Sequence, residues 1–298
     1  MQTVIDYIGL DYFADPSKRV YWLYLLTSAL IAVVYLYNRP KRLLYAVSPK
    51  ILWHKSARLD YLYFILSVLI KVAIIVPVVI SSGDVARWIY TKMALNFGYI
   101  RLDVSYENVM ILYTLSLFVV SDFTRYWLHR WLHTVKFLWR FHKVHHSARV
   151  LNPLTFYRVH PVENFLFGLR YALSSGVVTG VFIFLFGGIL DTWDILGVNG
   201  FVVAFMAFGS NLRHSHIALK FYKPLEYIFI SPAQHQIHHA NKTMDKNYGG
   251  SLALWDYIFG SLALSKDTKI GRFGLRQSQM NDYDNIFKLL FTPFRREQ

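Results

Sequence analysis

Apolar positions in this chain come in long uncharged runs, not in the narrow stripes of a soluble helix bundle. Val20 to Tyr37 carries no charge and, at about 1.5 Å of rise per residue, predicts a first membrane-spanning helix. Tyr61 to Ser81 predicts a second, interrupted by Lys71, which by the simplest reading snorkels or meets a carboxylate on a neighbouring helix. Val109 to Val120 begins a third that runs straight on through Asp122 to His129. Phe165 to Leu190, apolar apart from Arg170, predicts a fourth, and Leu196 to Ser210 a fifth. Between them lie a proline-broken basic segment at 38–58, read as lying in the headgroup region, and a mixed loop at 82–107. The pattern predicts an all-α membrane protein with about four to five transmembrane helices. Residues 1–107 form an N-terminal membrane region with two spans and the basic interfacial segment, and 264–298 a polar tail in which no element is predicted.

Composition supports the membrane class: 54% of residues are hydrophobic, 17% aromatic, and mean hydropathy is +0.29. The absence of cysteine excludes disulfides, thiolate zinc sites and iron–sulfur clusters. A formal charge of +14 would suit nucleic acid, but its distribution argues otherwise. Residues 39–58, 129–160 and 211–298 carry +6, +6 and +5, and the apolar segments between them are neutral or acidic. Such alternation follows the positive-inside rule. With the N-terminus outside, five spans place all three basic blocks on the cytoplasmic side. The first nineteen residues lack the pattern of a signal peptide.

Those basic blocks also hold the chemistry. Eleven of twelve histidines fall at or after position 129. His129 and His133 are i and i+4; His142, His145 and His146 are i, i+3 and i+4; His235, His238 and His239 repeat that triplet. On a helix each set shares a face. Neutral imidazole is a common ligand for iron, zinc, copper and nickel, and helical spacing aims several rings at one point. With His160 and His214 the count reaches ten, more than the roughly four ligands of one tetrahedral site, and fits two metal ions better than one. A lone histidine is ordinarily a hydrogen-bonded helix residue, and His54, in the basic segment, reads as an interfacial side chain; two H-x-x-H-H clusters are hard to explain by packing. No H-E-x-x-H of the zinc proteases and no Glu-x-x-His of the carboxylate di-iron bundles occurs. Histidine-ligated irons beside a bilayer suggest O2 activation for attack on a lipid C–H bond.

The three histidine boxes in order resemble the fatty acid hydroxylase/sterol desaturase superfamily. The resemblance covers about residues 108–263 and includes the His160-Pro161-x-Glu163 and His214-Ser215 elements, then Asn-Tyr-Gly and Leu-Trp-Asp after the last triplet. It implies a non-haem di-iron, O2-dependent membrane oxygenase whose two irons sit in a cytosol-facing helical cap. Its members hydroxylate or desaturate sterols, fatty acyl chains, ether lipids or carotenoids. By motif match the ligands are His129, His133, His142, His145, His146, His235, His238 and His239, joined by His160 and His214. His216 departs from the usual small residue and stands as an alternative to His214 or as a group supporting it. Asp122 and Asp256 are candidate carboxylates for orienting imidazole N–H groups. Electrons come from a separate ferredoxin or cytochrome b5 with its reductase. The rival readings are a histidine-rich membrane metal carrier or transporter, and a catalytically inert structural relative.

Overall fold

The computed structural model describes residues 9–188 and 190–295. Among these, eight helices have eight residues or more: α1 (Trp22–Tyr35), α2 (Lys55–Ile70), α3 (Ser82–Phe97), α4 (Tyr106–Thr134), α5 (Lys136–His146), α6 (Pro161–Phe186), α7 (Gly200–Ala207) and α8 (Pro232–His239). One small antiparallel hairpin, Asp194–Ile195 with Val198–Asn199, is the only sheet among the described residues. Helix starts follow local chemistry. Ser81 Oγ accepts from the Asp84 amide at the start of α3. Ser231 and Gln234 form a reciprocal capping box around Pro232 at the start of α8.

Among the described residues, three apolar runs are long enough to cross a membrane: Lys55–Phe97, Tyr106–Thr134 and Pro161–Phe186. The first of these runs from α2 through a π-helical turn at Lys71–Ile75 and a short helical piece at Val76–Val78, breaks at an extended Val79, and resumes as α3. Much of the predicted loop at 82–107 is therefore helix. The other two predicted spans are realised differently. At 14 and 8 residues, α1 and α7 reach roughly 21 and 12 Å, short of a hydrocarbon core of about 30 Å. Part of this apolar surface packs within the protein, Tyr24 with Val203, and Ala32 and Leu36 with Leu212 and Ile217, while Trp22, Leu26, Leu30, Val33 and Val34 of α1 stay exposed.

Small residues set the close contact of α6 with α3. A Cβ on Gly176 would fall 2.5 Å from Val85 Cβ, and one on Gly180 2.7 Å from the Ala86 carbonyl oxygen. Spaced by four, these glycines let the two helices touch nearly backbone to backbone.

The polar end of α4 organises the rest. After Thr134 the chain turns at Val135 (φ −90°, ψ 112°) and folds back as α5. On the return from α6, the Trp193 amide donates to Thr114 Oγ1 at 2.8 Å and Asn199 Nδ2 to the Thr114 carbonyl at 3.0 Å, so this irregular stretch runs along α4. It leads through α7 to a 3-10 turn at Ser210–His214. The C-terminal region is also structured. Leu275, Met280, Tyr283 and Leu289 share a buried cluster with Tyr63 and Val144, the last on α5. Its polar composition hides four apolar residues that pin it against that histidine-bearing helix.

Candidate metal centre

Five buried histidines, His129, His133, His142, His146 and His238, each offer a ring nitrogen within 4.8 Å of the others. His145, His214, His235 and His239 form a second group on the same criterion. The groups adjoin: the His146 and His239 rings stack with centroids 4.8 Å apart. Each triplet divides between them. His142 and His146 join the first group and His145 the second; His235 and His239 join the second and His238 the first. Helical geometry accounts for the split. Residues i and i+4 diverge by only about 40° around the axis, whereas i+3 and i+4 are about 100° apart.

Ring orientation is set from outside the groups. His142 Nδ1 lies 2.9 Å from Glu163 Oε1, with both side chains buried. His129 Nδ1 is 2.7 Å from the Tyr248 carbonyl, His238 Nδ1 2.8 Å from that of Lys246, and His145 Nδ1 3.3 Å from that of Arg158. A neutral imidazole has one N–H, so donation from Nδ1 leaves Nε2 as a lone pair pointing inward. Each acceptor is itself anchored. Asn247, in the left-handed region at φ 56°, donates to the Gln234 and Ala263 carbonyls and accepts from the Ala263 amide. That one residue holds the turn supplying both the Lys246 and the Tyr248 carbonyl. Arg158 is bound by Asp60 and donates to the Ser56 carbonyl at 2.7 Å.

The donor set fits metal ions. In the second group, Nε2 atoms of His214, His235 and His239 lie 3.1, 3.2 and 3.2 Å apart. Each corner of such a triangle is about 1.8 Å from its centre, near the ~2.0–2.1 Å imidazole–metal bond. Three ring nitrogens facing one another cannot all be satisfied by mutual hydrogen bonds, whereas one cation accepts every lone pair. In the first group both ring nitrogens of His133 and of His146, and Nε2 of His238, have no hydrogen-bond partner. Orphaned buried nitrogens are costly unless something binds them. Burial, followed by the neighbouring imidazoles, holds His145, His146, His214, His235 and His239 well below the usual histidine range. The same two causes push His238 down to about 3. These rings stay neutral and available to metal near pH 7.

The other candidates lie elsewhere. His160 is outside both groups: Nδ1 accepts from the Val162 amide at 3.1 Å, capping α6, and Nε2 lies 3.0 Å from the Leu290 carbonyl. Both nitrogens are spent on backbone, which corrects its expected role as a ligand. His216 sits beside Tyr45 and Phe273, and its Nε2 accepts from the Leu151 amide at 3.3 Å. It does not take the place of His214, which lies in the second group. Neither candidate aspartate meets an imidazole. Asp122 accepts from the Ser251 and Leu252 amides and from Trp255 Nε1. Asp256 accepts from the Tyr248 and Gly249 amides and so steadies the turn whose carbonyl faces His129. The carboxylate that does orient an imidazole is Glu163. Its only sequence signal is its place three residues after His160 in the conspicuous His-Pro element.

Fold and site together define a helical membrane protein with a buried polyhistidine centre. The fatty acid hydroxylase family model matches residues 114–261, a stretch that contains every one of the nine clustered histidines. Residues 114–261, about half of the chain, thus form a domain of the fatty acid hydroxylase/sterol desaturase superfamily. It is 30% identical to alkylglycerol monooxygenase of Danio rerio over 51% of this chain and 31% of the relative. Identity to the human alkylglycerol monooxygenase is 30%, over 49% of this chain and 29% of the relative. Identity to the very-long-chain aldehyde decarbonylase CER1 of Arabidopsis thaliana is 28%, over 49% and 23%. The chain thus spans no more than about a third of the length of these relatives. No solved structure matches it.

Proposed function

We propose that this protein is an O2-dependent, non-haem di-iron oxygenase that hydroxylates or desaturates a lipid at a C–H bond. The observation that carries the reading is the division of nine buried imidazoles into adjoining groups of five and four, with ring nitrogens turned inward. His129, His133, His142, His146 and His238 would hold one iron, and His145, His214, His235 and His239 the other. Iron held there would supply the redox chemistry that activates O2 for attack on an unactivated C–H bond. The chain's own groups fix the ligands. Glu163 and the carbonyls of Arg158, Lys246 and Tyr248 hold four rings in one tautomer, and burial excludes water from the reacting atoms. A lipid substrate is supported by the relatives' names, which concern alkylglycerols and very-long-chain aldehydes. Electrons come from a separate donor of the ferredoxin or cytochrome b5 type. A cytoplasmic position for the centre is supported by the +6 basic block at 129–160, which surrounds its first two boxes.

The test is metal content and redox state of detergent-purified protein from iron-sufficient culture. About two irons per chain, falling toward one in His142→Ala and in His238→Ala, and reoxidised by O2 after dithionite reduction, is the expected result. A single zinc indifferent to dithionite and O2 overturns the proposal in favour of a structural or carrier role.

A further inference from the structure

Two cavities meet beside the histidines. The first, of about 220 Å³, is lined by His129, His142, His145, His214 and His235. The second, of about 230 Å³, is mainly apolar, with Leu117, Phe118, Val202, Phe205 and Met206 in its wall. Arg19, Arg125 and Arg213 line both. Among the described residues, none of the three forms an ion pair with a carboxylate. Arg19 and Arg213 are 5% and 4% exposed, and the Nε of each has no partner. Arg19 donates to the Ser210 carbonyl and Arg213 to the Gly250 carbonyl, which satisfy hydrogen-bonding sites without neutralising charge. The remaining contacts are with ring faces: Phe156 for Arg19, Phe167 for Arg125 and Phe205 for Arg213.

The contrast with Arg158 is informative. That guanidinium is equally buried, yet Asp60, Ser147 and Ser56 take its donors. The fold therefore pairs a buried arginine where one is structural. Asp122 and Glu163 lie close enough to Arg125, and Asp122 to Arg213, to offset part of their charge, but neither forms an ion pair with an arginine, no carboxylate acts on Arg19, and three guanidiniums against two carboxylates leave the junction positive. Burying a guanidinium without a counter-charge costs several kcal/mol, and metal cations on neutral imidazoles would add positive charge. An anion offsets this, and arginine's planar fork suits a carboxylate or phosphate.

We propose that this junction is the head-group subsite for an anionic lipid, its carboxylate or phosphate held by Arg19, Arg125 and Arg213 beside the histidine centre. The chain would occupy the apolar cavity and continue into an open groove between α4 and α6. Arg170 lines both of those spaces, and Trp127, Trp131, Leu169 and Leu173 line the groove. The subsite deepens the oxygenase reading, on which its role as a substrate site rests; it also places the oxidised carbon near the polar end of the lipid.

The test compares binding of hexadecanoate, hexadecyl phosphate, hexadecanol and inorganic phosphate to the full chain in detergent, by native mass spectrometry, with metal content measured on the same samples. Hexadecanoate and hexadecyl phosphate are expected to bind at least ~10-fold more tightly than hexadecanol, a difference of the size of one charge-assisted contact. Arg19→Gln and Arg213→Gln should each remove most of that preference, and Arg125→Lys should retain it. Equal binding of the acid and the alcohol overturns the proposal. Inorganic phosphate binding as tightly as hexadecyl phosphate overturns its lipid part. If either glutamine variant fails to fold, the four-probe comparison on the unaltered chain decides alone. Anion preference in protein lacking iron would leave the subsite standing while the oxygenase reading falls; two irons without preference would do the reverse.

Discussion

His142 and Glu163 face each other across 2.9 Å, Nδ1 to Oε1, with both side chains buried. A carboxylate there fixes the tautomer and raises the basicity of the opposite ring nitrogen. Glu163→Gln keeps an acceptor but removes the charge. It is expected to weaken metal retention by about 10–100-fold, the usual effect of losing such a support. Titration against a chelator measures this, and unchanged retention would assign Glu163 a packing role only.

Two histidines separated by geometry give a sharper contrast. His239→Ala removes one of the four rings of the smaller group, and metal content should fall from about two to about one per chain. His160→Ala should leave metal content unaltered and cost about 1 kcal/mol of stability through the lost helix cap. Elemental analysis beside thermal unfolding separates the two.

Asn247→Ala loses three side-chain hydrogen bonds and retains a left-handed backbone. The expected cost is about 2–4 kcal/mol, combining strain with an unpaired buried amide. Asn247→Gly relieves the strain and should be milder. Because the Lys246 and Tyr248 carbonyls face His238 and His129, metal retention should fall in the same order. An alanine variant with normal unfolding temperature and metal content would contradict this.

Acid should destabilise the metal-free chain. Burial pushes His216 down to about 4 and His238 to about 3, whereas both titrate near 6.5 when unfolded. Below pH ~6.5 the unfolded chain binds more protons than the folded one, so stability falls as pH drops toward those folded values. The unfolding temperature should be flat above pH ~7 and decline below ~6.5, with metal-loaded protein resisting longer. A metal-free protein that becomes more stable between pH 6.5 and 5 would refute this assignment.

Helix packing makes a separate prediction. Gly176→Val places a Cβ 2.5 Å from Val85 Cβ and 2.7 Å from the Ser82 carbonyl, where neither backbone can yield. A loss of about 1–3 kcal/mol or more, with little folded protein recovered, is expected. Gly188→Ala, with open space around it, should express normally. Yields of monodisperse protein in detergent compare them directly.

Helical periodicity and apolar run length are local properties, so the sequence by itself determined the helical membrane class and the histidine boxes. It could not say which ring of a triplet faces which group. That depends on where α4, α5, α8 and the 210–214 turn meet, and on the 100° step that sends His145 and His238 away from their neighbours. Nor did local pattern separate His160, a helix cap, from His214, since each sits in a short conspicuous motif, His160-Pro161-x-Glu163 and His214-Ser215. Apolar runs at α1 and α7 looked like spans because composition does not show where a helix ends, and these two stop at 14 and 8 residues. The tertiary structure alone decided the Glu163 contact, the Asn247 turn and the gathering of three unpaired arginines. Each joins residues distant in sequence, and their pairing follows from packing, which no local period encodes.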